Sequence, residues 1–159
     1  ENKIKRINRT MSKQDKKSKN FLKNKIKLQE MYLSIRNIRD DAQNKIVKDI
    51  INKHPKFITI EKLCIEDMLQ NRILSHSIQK QSFYAFSQKL KNKCNKNGIE
   101  LRQVSKYFPS SKTCSECGCI NHDLQLKDRV FKCKECGSIV DRDLNASINL
   151  RNCKSYEII

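Results

Sequence analysis

Four cysteines in two tight pairs constrain this chain more than any other feature. They run Cys114-Ser115-Glu116-Cys117-Gly118 and Cys133-Lys134-Glu135-Cys136-Gly137, with 15 residues between Cys117 and Cys133. Two CxxC pairs about 15–20 residues apart have the spacing of a tetrahedral four-thiolate zinc site. Each pair makes a turn that aims two thiolates at one point, and the hairpin between them brings the halves together. The chain has three glycines, and two of them directly follow Cys117 and Cys136. A metal knuckle needs backbone there that accepts positive φ and turns its N–H groups toward sulfur. The pattern predicts a zinc ribbon over residues 111–139 with Cys114, Cys117, Cys133 and Cys136 as ligands. Four protein ligands leave no open position, so the zinc is expected to be structural. Cys119 and His122 lie close by but are less well placed. Cys64, Cys94 and Cys153 fit apolar helical contexts and are expected in the core.

Eight cysteines in a secreted chain would suggest disulfides. Tight pairs set among Lys and Glu read instead as metal binding in a reducing cytosol. The 34 Lys+Arg outnumber the 17 Asp+Glu, for a net charge of +17. That balance suits a polyanion, because phosphates paired with Lys and Arg release their condensed counterions. Residues 1–56 hold 17 of the basic residues and 6 of the acidic ones, so most of the excess lies there. No apolar run approaches the ~20 residues needed to cross a bilayer, which excludes a membrane span. The expected location is the cytoplasm of a bacterium, in association with the nucleoid.

Ser18 is the expected N-cap of a long helix. Its apolar stripe is Leu28, Met31, Ile35, Ile38, Ala42, Ile46 and Ile50. His54-Pro55 closes it, since the residue before proline is pushed out of the helical region. The basic stretch 3–27 predicts a shorter helix and a turn. Phe57-Ile58-Thr59-Ile60 is a strand ending in Glu61. Phe83, Phe86, Leu90 and Cys94 mark a second helix, stopped at Asn97-Gly98. Ile99 to Val104 is a further strand, and Asp143 to Asn152 a last helix with Asp143 at its N-cap. The order is α/β. Only two core strands are legible, too few for a sheet under three helices, so the rest of the sheet is expected outside this chain. The expected regions are a basic helical part with a partial core (1–110), the ribbon (111–139) and a terminal motif with its helix (140–159).

Taken locally, Glu61 reads as a surface residue at a strand end and Asp143 as a helix cap. Three segments alter that reading. They are Ile58-Thr59-Ile60-Glu61-Lys62-Leu63, then Phe108-Pro109-Ser110-Ser111-Lys112-Thr113-Cys114-Ser115-Glu116-Cys117-Gly118, then Asp141-Arg142-Asp143-Leu144-Asn145-Ala146-Ser147-Ile148-Asn149. Their order and spacing resemble the carboxyl-terminal half of the TnpB (OrfB) family of transposon-encoded proteins, relatives of compact type V CRISPR effectors. The likeness covers residues 18–152.

The resemblance implies a partial RNase H-like (RuvC-like) nuclease domain with the ribbon inserted before its last helix. It implies an RNA-guided DNA endonuclease, with DNA and a guide RNA as partners. It also implies three carboxylates holding two Mg²⁺ ions, one activating water and the other stabilising the leaving oxygen. By motif match Glu61 is the second carboxylate and Asp143 the third; Asp141, beside the motif, is the lesser candidate. The family's first aspartate sits in a Gly-Ile-Asp-like motif on an amino-terminal strand, and nothing here matches it. The chain is therefore expected to be the carboxyl-terminal half, to need an amino-terminal half as partner, and to be inactive alone. The alternatives are a non-catalytic zinc-ribbon module that holds DNA or RNA, and a decayed remnant.

Overall fold

Ser18 sets the start of the longest element. Its Oγ accepts the Phe21 N–H at 3.1 Å, which satisfies one of the orphan donors of a helix start. The computed structural model describes residues 2–64, 70, 82–125 and 127–159. In it the helix after Ser18 is α2 (Lys19–Asn52), preceded by α1 (Asn2–Met11). The short helix and turn expected in residues 3–27 are thus present. Asp15 Oδ1 accepts the Lys17 N–H at 3.0 Å within the turn, and Asn24 Nδ2 donates to Gln14 Oε1 at 3.1 Å. At its far end α2 stops at Asn52, and His54 takes a φ of 47° before Pro55.

The stripe along α2 is not the one expected. Gln43, Val47 and Ile51 are buried, whereas Ile35, Ile38 and Ile46 are exposed. Leu28, Met31 and Ile50 of the expected stripe are half-buried, but at this end of the helix Val47 and Ile51, one position and about 100° on from Ile46 and Ile50, take the buried face. Among the described residues no helix is long and apolar enough to cross a membrane.

The chain forms two compact units, residues 1–49 and 50–159. The second contains β1 (Phe57–Glu61), α3 (Phe83–Asn97), β2 (Glu100–Val104), β3 (Val130–Lys132), β4 (Ile139–Asp141), α4 (Arg142–Asn152) and β5 (Glu157–Ile158). β1 and β2 pair in parallel from Phe57↔Glu100 to Glu61↔Val104. Parallel neighbours need a crossover, and α3 lies in that connection, packed on β2 through Leu90 and Cys94. Gly98 ends α3 at φ 65°, its N–H donating to the Cys94 carbonyl.

The two-strand reading needs correction: the sheet runs β1-β2-β5, with β5 antiparallel to β2. Two residues are too short to show an alternating pattern. β5 is held by its pairing with Arg102 and Gln103, and the Arg102 guanidinium lies 3.7 Å from the Phe57 ring centroid and 4.4 Å from that of Tyr156, the residue before β5. Glu100 fixes the same guanidinium with a 2.7 Å ion pair. The last residue follows suit, as the Ile159 N–H donates to the Leu101 carbonyl at 3.0 Å.

Between β2 and α4 stands the small hairpin β3–β4, with Phe131 paired to Val140. Phe131 is fully buried and packs with Cys114, Cys133, Leu124 and Val140 into a core of their own. β4 runs straight into α4 at Arg142, which makes the hairpin and the helix one continuous piece.

Candidate metal centre and carboxylate site

The two CxxC turns fold alike. In the first, the Cys114 N–H donates to the Cys119 carbonyl at 2.8 Å and the Gly118 N–H to Cys114 at 2.9 Å. In the second, the Cys133 N–H donates to Ser138 at 2.8 Å and the Gly137 N–H to Cys133 at 3.2 Å. Gly118 and Gly137 take φ values of 79° and 74°, a conformation that a β-carbon disfavours. Both glycines therefore serve the role their placement suggests.

The turns bring the Sγ atoms of Cys114, Cys117, Cys133 and Cys136 within 4.8 Å of one another. Cys114 and Cys136 are 3.7 Å apart, and Cys117 and Cys133 3.6 Å. A tetrahedral ion with metal–sulfur bonds of about 2.3 Å requires sulfur separations of about 3.8 Å. The cluster fits a metal ion such as zinc. The thiols are unequal: the Cys136 N–H, helped by that of Glu135, draws the Cys133 thiol down to about 7 against the cost of burial. At Cys136 the Ser138 N–H favours the thiolate, but Cys133, burial and the other sulfurs outweigh it and push that thiol up to about 12. Four thiols this close share their protons unless a cation sits among them.

Among the described residues no other group of three or more donor side chains gathers in this way, and Cys119 and His122 stand outside the cluster. Cys94 is in the core as expected. Cys64 and Cys153 are half-buried and lie outside the helices, which corrects that part of the expectation.

Two asparagines on α4 tie the ribbon to the sheet. Asn145 is fully buried; its Nδ2 donates to the Thr113 carbonyl at 2.7 Å, and its Oδ1 accepts the Ser115 N–H at 2.9 Å. One turn later Asn149 donates to the carbonyls of Ser110, at 2.8 Å, and Thr113, at 2.7 Å. The i, i+4 spacing puts both amides on one face of the helix. Ser110 in turn donates its hydroxyl to Oε1 of Glu61. A continuous chain of hydrogen bonds thus runs from the first knuckle to the end of β1. Sequence reasoning did not single out Ser110, Asn145 or Asn149, although all three lie inside the segments that carried the resemblance.

Asp143 lies in the first turn of α4, a helix that packs on β1, the strand that ends in Glu61. The expected cap is corrected: Asp141 is the N-cap, its Oδ1 accepting the N–H groups of Asp143 at 2.9 Å and Leu144 at 3.0 Å. The residue before the helix is the one with extended backbone, and that is Asp141, the last residue of β4. Asp143 is left with 74% of its side chain exposed and one loose contact, 3.4 Å to the Arg142 guanidinium.

Two family models match successive parts of the chain. A family model described as the Cas12f1-like TNB domain matches residues 83–150, and one described as a probable transposase, OrfB of IS605, matches residues 1–72. TnpB-like protein L79 of Acanthamoeba polyphaga mimivirus is 33% identical over 129 residues, covering 77% of this chain and 24% of that protein. The CRISPR-associated endodeoxyribonuclease Cas12f1 of Sulfoacidibacillus thermotolerans is 27% identical over 128 residues, covering 77% and 29%. The chain spans less than half the length of the curated relatives it matches. A cryo-EM structure of a CRISPR-Cas12f ternary complex shares the fold with a TM-score of 0.69 at 24% identity, over 99% of this chain and 33% of that one. With two family models that together match most of the chain and relatives that span both matches, the chain belongs to the TnpB (OrfB) family.

Proposed function

We propose that this chain is the carboxyl-terminal part of an RNA-guided DNA endonuclease, with zinc held by Cys114, Cys117, Cys133 and Cys136 and two of three catalytic carboxylates at Glu61 and Asp143. The observation that carries this reading is the hydrogen-bonded chain from the ribbon through Asn145, Asn149 and Ser110 to Glu61. A strand-end glutamate on the bare surface needs no such support. The parallel β1–α3–β2 crossover with α4 packed on β1 supports an RNase H-like (RuvC-like) core. In this reading residues 1–110 hold the basic helices and partial core, 111–139 the ribbon, and 140–159 the last motif and its helix.

The two carboxylates suit Mg²⁺, a hard ion that takes oxygen ligands. Ser110 orients one oxygen of Glu61, and the other accepts no hydrogen bond among the described residues. Asp143 is not consumed by capping, because Asp141 does that work. Bound there, the metal supplies an activated water and charge to stabilise the leaving oxygen. This chain's own residues hold the two ligands: Ser110 orients Glu61, and Asp141 fixes the turn that bears Asp143.

The shell is incomplete with two carboxylates. β1 is an edge strand, with no neighbour on its outer side among the described residues. A strand carrying the first aspartate pairs there in this reading, supplied by an amino-terminal half, and the 159 residues alone do not cut. In this reading the DNA and the guide RNA meet the exposed basic residues, and the working protein acts at the nucleoid.

The test is cleavage of a plasmid carrying the guide's target by the complete protein loaded with guide RNA. Glu61→Ala and Asp143→Ala should each abolish cutting while leaving nucleic-acid binding nearly intact. Full cutting by either variant overturns the assignment.

A further inference from the structure

The Arg102 side chain ties together three segments around the sheet. Its guanidinium stacks on Phe57, the first residue of β1, at 3.7 Å and on Tyr156, in the segment that follows α4, at 4.4 Å. Glu100, two residues back on β2, holds the same group at 2.7 Å. A guanidinium is planar and weakly hydrated, so it stacks well on aromatic faces. Only 18% of this side chain is exposed, and such contacts strengthen as water is removed. Along the backbone Arg102 is the register partner of Thr59 on one side and of Ile158 on the other.

β1, which ends in Glu61, has β2 as its one strand neighbour among the described residues. In its middle the Thr59 hydroxyl is buried and has no hydrogen-bond partner among the described residues, so it anchors nothing. Beyond its ladder with β2 and its packing against α4, β1 is pinned at its two ends. Phe57 on Arg102 holds the start. The Lys62 N–H, 2.9 Å from the Val104 carbonyl, and the Ser110 hydroxyl on Glu61 hold the finish. The segment after α4 reaches that finish too: Ser155, Tyr156 and Glu157 enclose a hollow of about 170 Å³ with Lys62, Val104 and Ser105. Ligand sites start near 300 Å³, so this hollow is a seam between packed segments.

We propose that the segment after α4 sets the position of Glu61, with Tyr156 and Arg102 as positioning residues. Neither side chain belongs to the two-carboxylate site. Tyr156 covers one face of the guanidinium, and the other face grips the start of β1. Loss of the ring opens the guanidinium to water, weakens its hold on Phe57 and lets β1 shift against β2, carrying Glu61 with it. The consequence for cleavage rests on the nuclease reading; the mechanical coupling does not.

The test reads amide hydrogen exchange in the 159-residue chain and cleavage in the complete, guide-loaded protein. Tyr156→Ala should speed exchange about tenfold at two amides, the Ile159 N–H on the Leu101 carbonyl and the Lys62 N–H on the Val104 carbonyl. The Ile99 N–H, bonded to the Cys94 carbonyl at the end of α3, should keep its protection. In the complete protein the same variant should lower kcat about tenfold and leave KM for target DNA unchanged, because it moves a carboxylate and removes no DNA contact. Tyr156→Phe, which keeps the ring, should match the parent in both assays. Tyr156→Leu, which keeps bulk without an aromatic face, should behave as Tyr156→Ala does. Unchanged exchange at Lys62, equal acceleration at Ile99, or an effect of Tyr156→Ala on KM alone overturns the proposal. So does an unchanged kcat, a parent-like Tyr156→Leu or a defective Tyr156→Phe. If Glu61→Ala keeps cutting, the nuclease reading falls while the coupling seen at Lys62 stands, which keeps the two separable.

Discussion

Ser110 donates its hydroxyl to Oε1 of Glu61 across 49 positions of sequence, and the carbonyl of the same residue is held by Asn149. The serine thus fixes the carboxylate while being fixed itself. A carboxylate whose work depends on its placement loses rate when freed, and displacements near 1 Å can cost about a hundredfold. Within the complete, guide-loaded protein, Ser110→Ala should lower cleavage by about ten- to a hundredfold. Ser110→Thr, which keeps a hydroxyl, should retain most of it, and both variants should hold metal as the parent does. An unchanged rate in Ser110→Ala would mean that Glu61 needs no such support.

Asn149 and Asn145 are buried polar groups whose removal strands other polar groups. Asn149→Ala leaves the carbonyls of Ser110 and Thr113 without that donor, and Asn145→Ala leaves the Ser115 N–H and a second bond to Thr113 unmet. An unsatisfied buried group costs about 1–3 kcal/mol. Each variant should lower the urea midpoint of the second unit by an amount in that range. Asn149→Leu, which restores volume without donors, should be no better than Asn149→Ala. Rescue by leucine would show that the site needs bulk and not hydrogen bonds.

Much of this architecture could be read from residues whose local chemistry has one solution. Cysteine pairs followed by glycine fold as knuckles wherever they occur, and Phe57–Glu61 and Glu100–Val104 are strands by composition alone. Other features depend on partners distant in sequence. At the end of α2 nothing local decides between Ile46 with Ile50 and Val47 with Ile51, because these apolar residues sit side by side. β5 is defined by its pairing with β2, beside the Arg102 stack, which no two-residue pattern announces. The capping role moved from Asp143 to Asp141 because both are good caps, and the end of β4 decides between them. Ser110 was invisible since a serine in a loop carries no signal until its partner, 49 residues back, is known.

The four-cysteine cluster leads to a stoichiometric prediction. Purified protein should hold one zinc per chain with four sulfur ligands by X-ray absorption. Cys114→Ser or Cys136→Ser should release the ion, because each sulfur belongs to the group within 4.8 Å, whereas Cys119→Ser should retain it. Chelation should also speed amide exchange at Phe131, whose core contains Cys114 and Cys133. Two ions per chain, or loss of metal from Cys119→Ser, contradicts the assignment.

The exposed lysines of the α1–α2 turn suit phosphate contacts. Lys16, Lys17 and Lys19 are all exposed there, in the region that holds most of the positive excess. Binding to a random-sequence duplex should weaken linearly in log salt, with a slope set by the number of phosphates paired. Reversing all three charges should flatten that slope by about three, near 0.9 for each lost contact. A slope unchanged by the triple reversal would move the contacts elsewhere.

Asp141 and Asp143 are two residues apart and exposed alike, yet the structure gives them opposite duties. Asp141 holds the first turn of α4 through two backbone N–H groups. Among the described residues the Asp143 carboxylate makes only the loose contact to Arg142. Loss of an N-cap carboxylate costs about 1 kcal/mol, so Asp141→Ala should lower the stability of the second unit measurably. Asp141→Ser, which can still accept those N–H groups, should recover most of it. Asp143→Ala should have a smaller effect on stability, limited to one negative charge near the positive end of the helix. Cleavage should respond in the reverse order: the complete protein with Asp143→Ala should be inactive, and with Asp141→Ser nearly fully active. Urea denaturation and plasmid cleavage on the same three variants separate the roles. If stability and activity fall together in Asp141→Ala but Asp143→Ala keeps cutting, the metal-binding aspartate is Asp141 and the assignment of Asp143 fails.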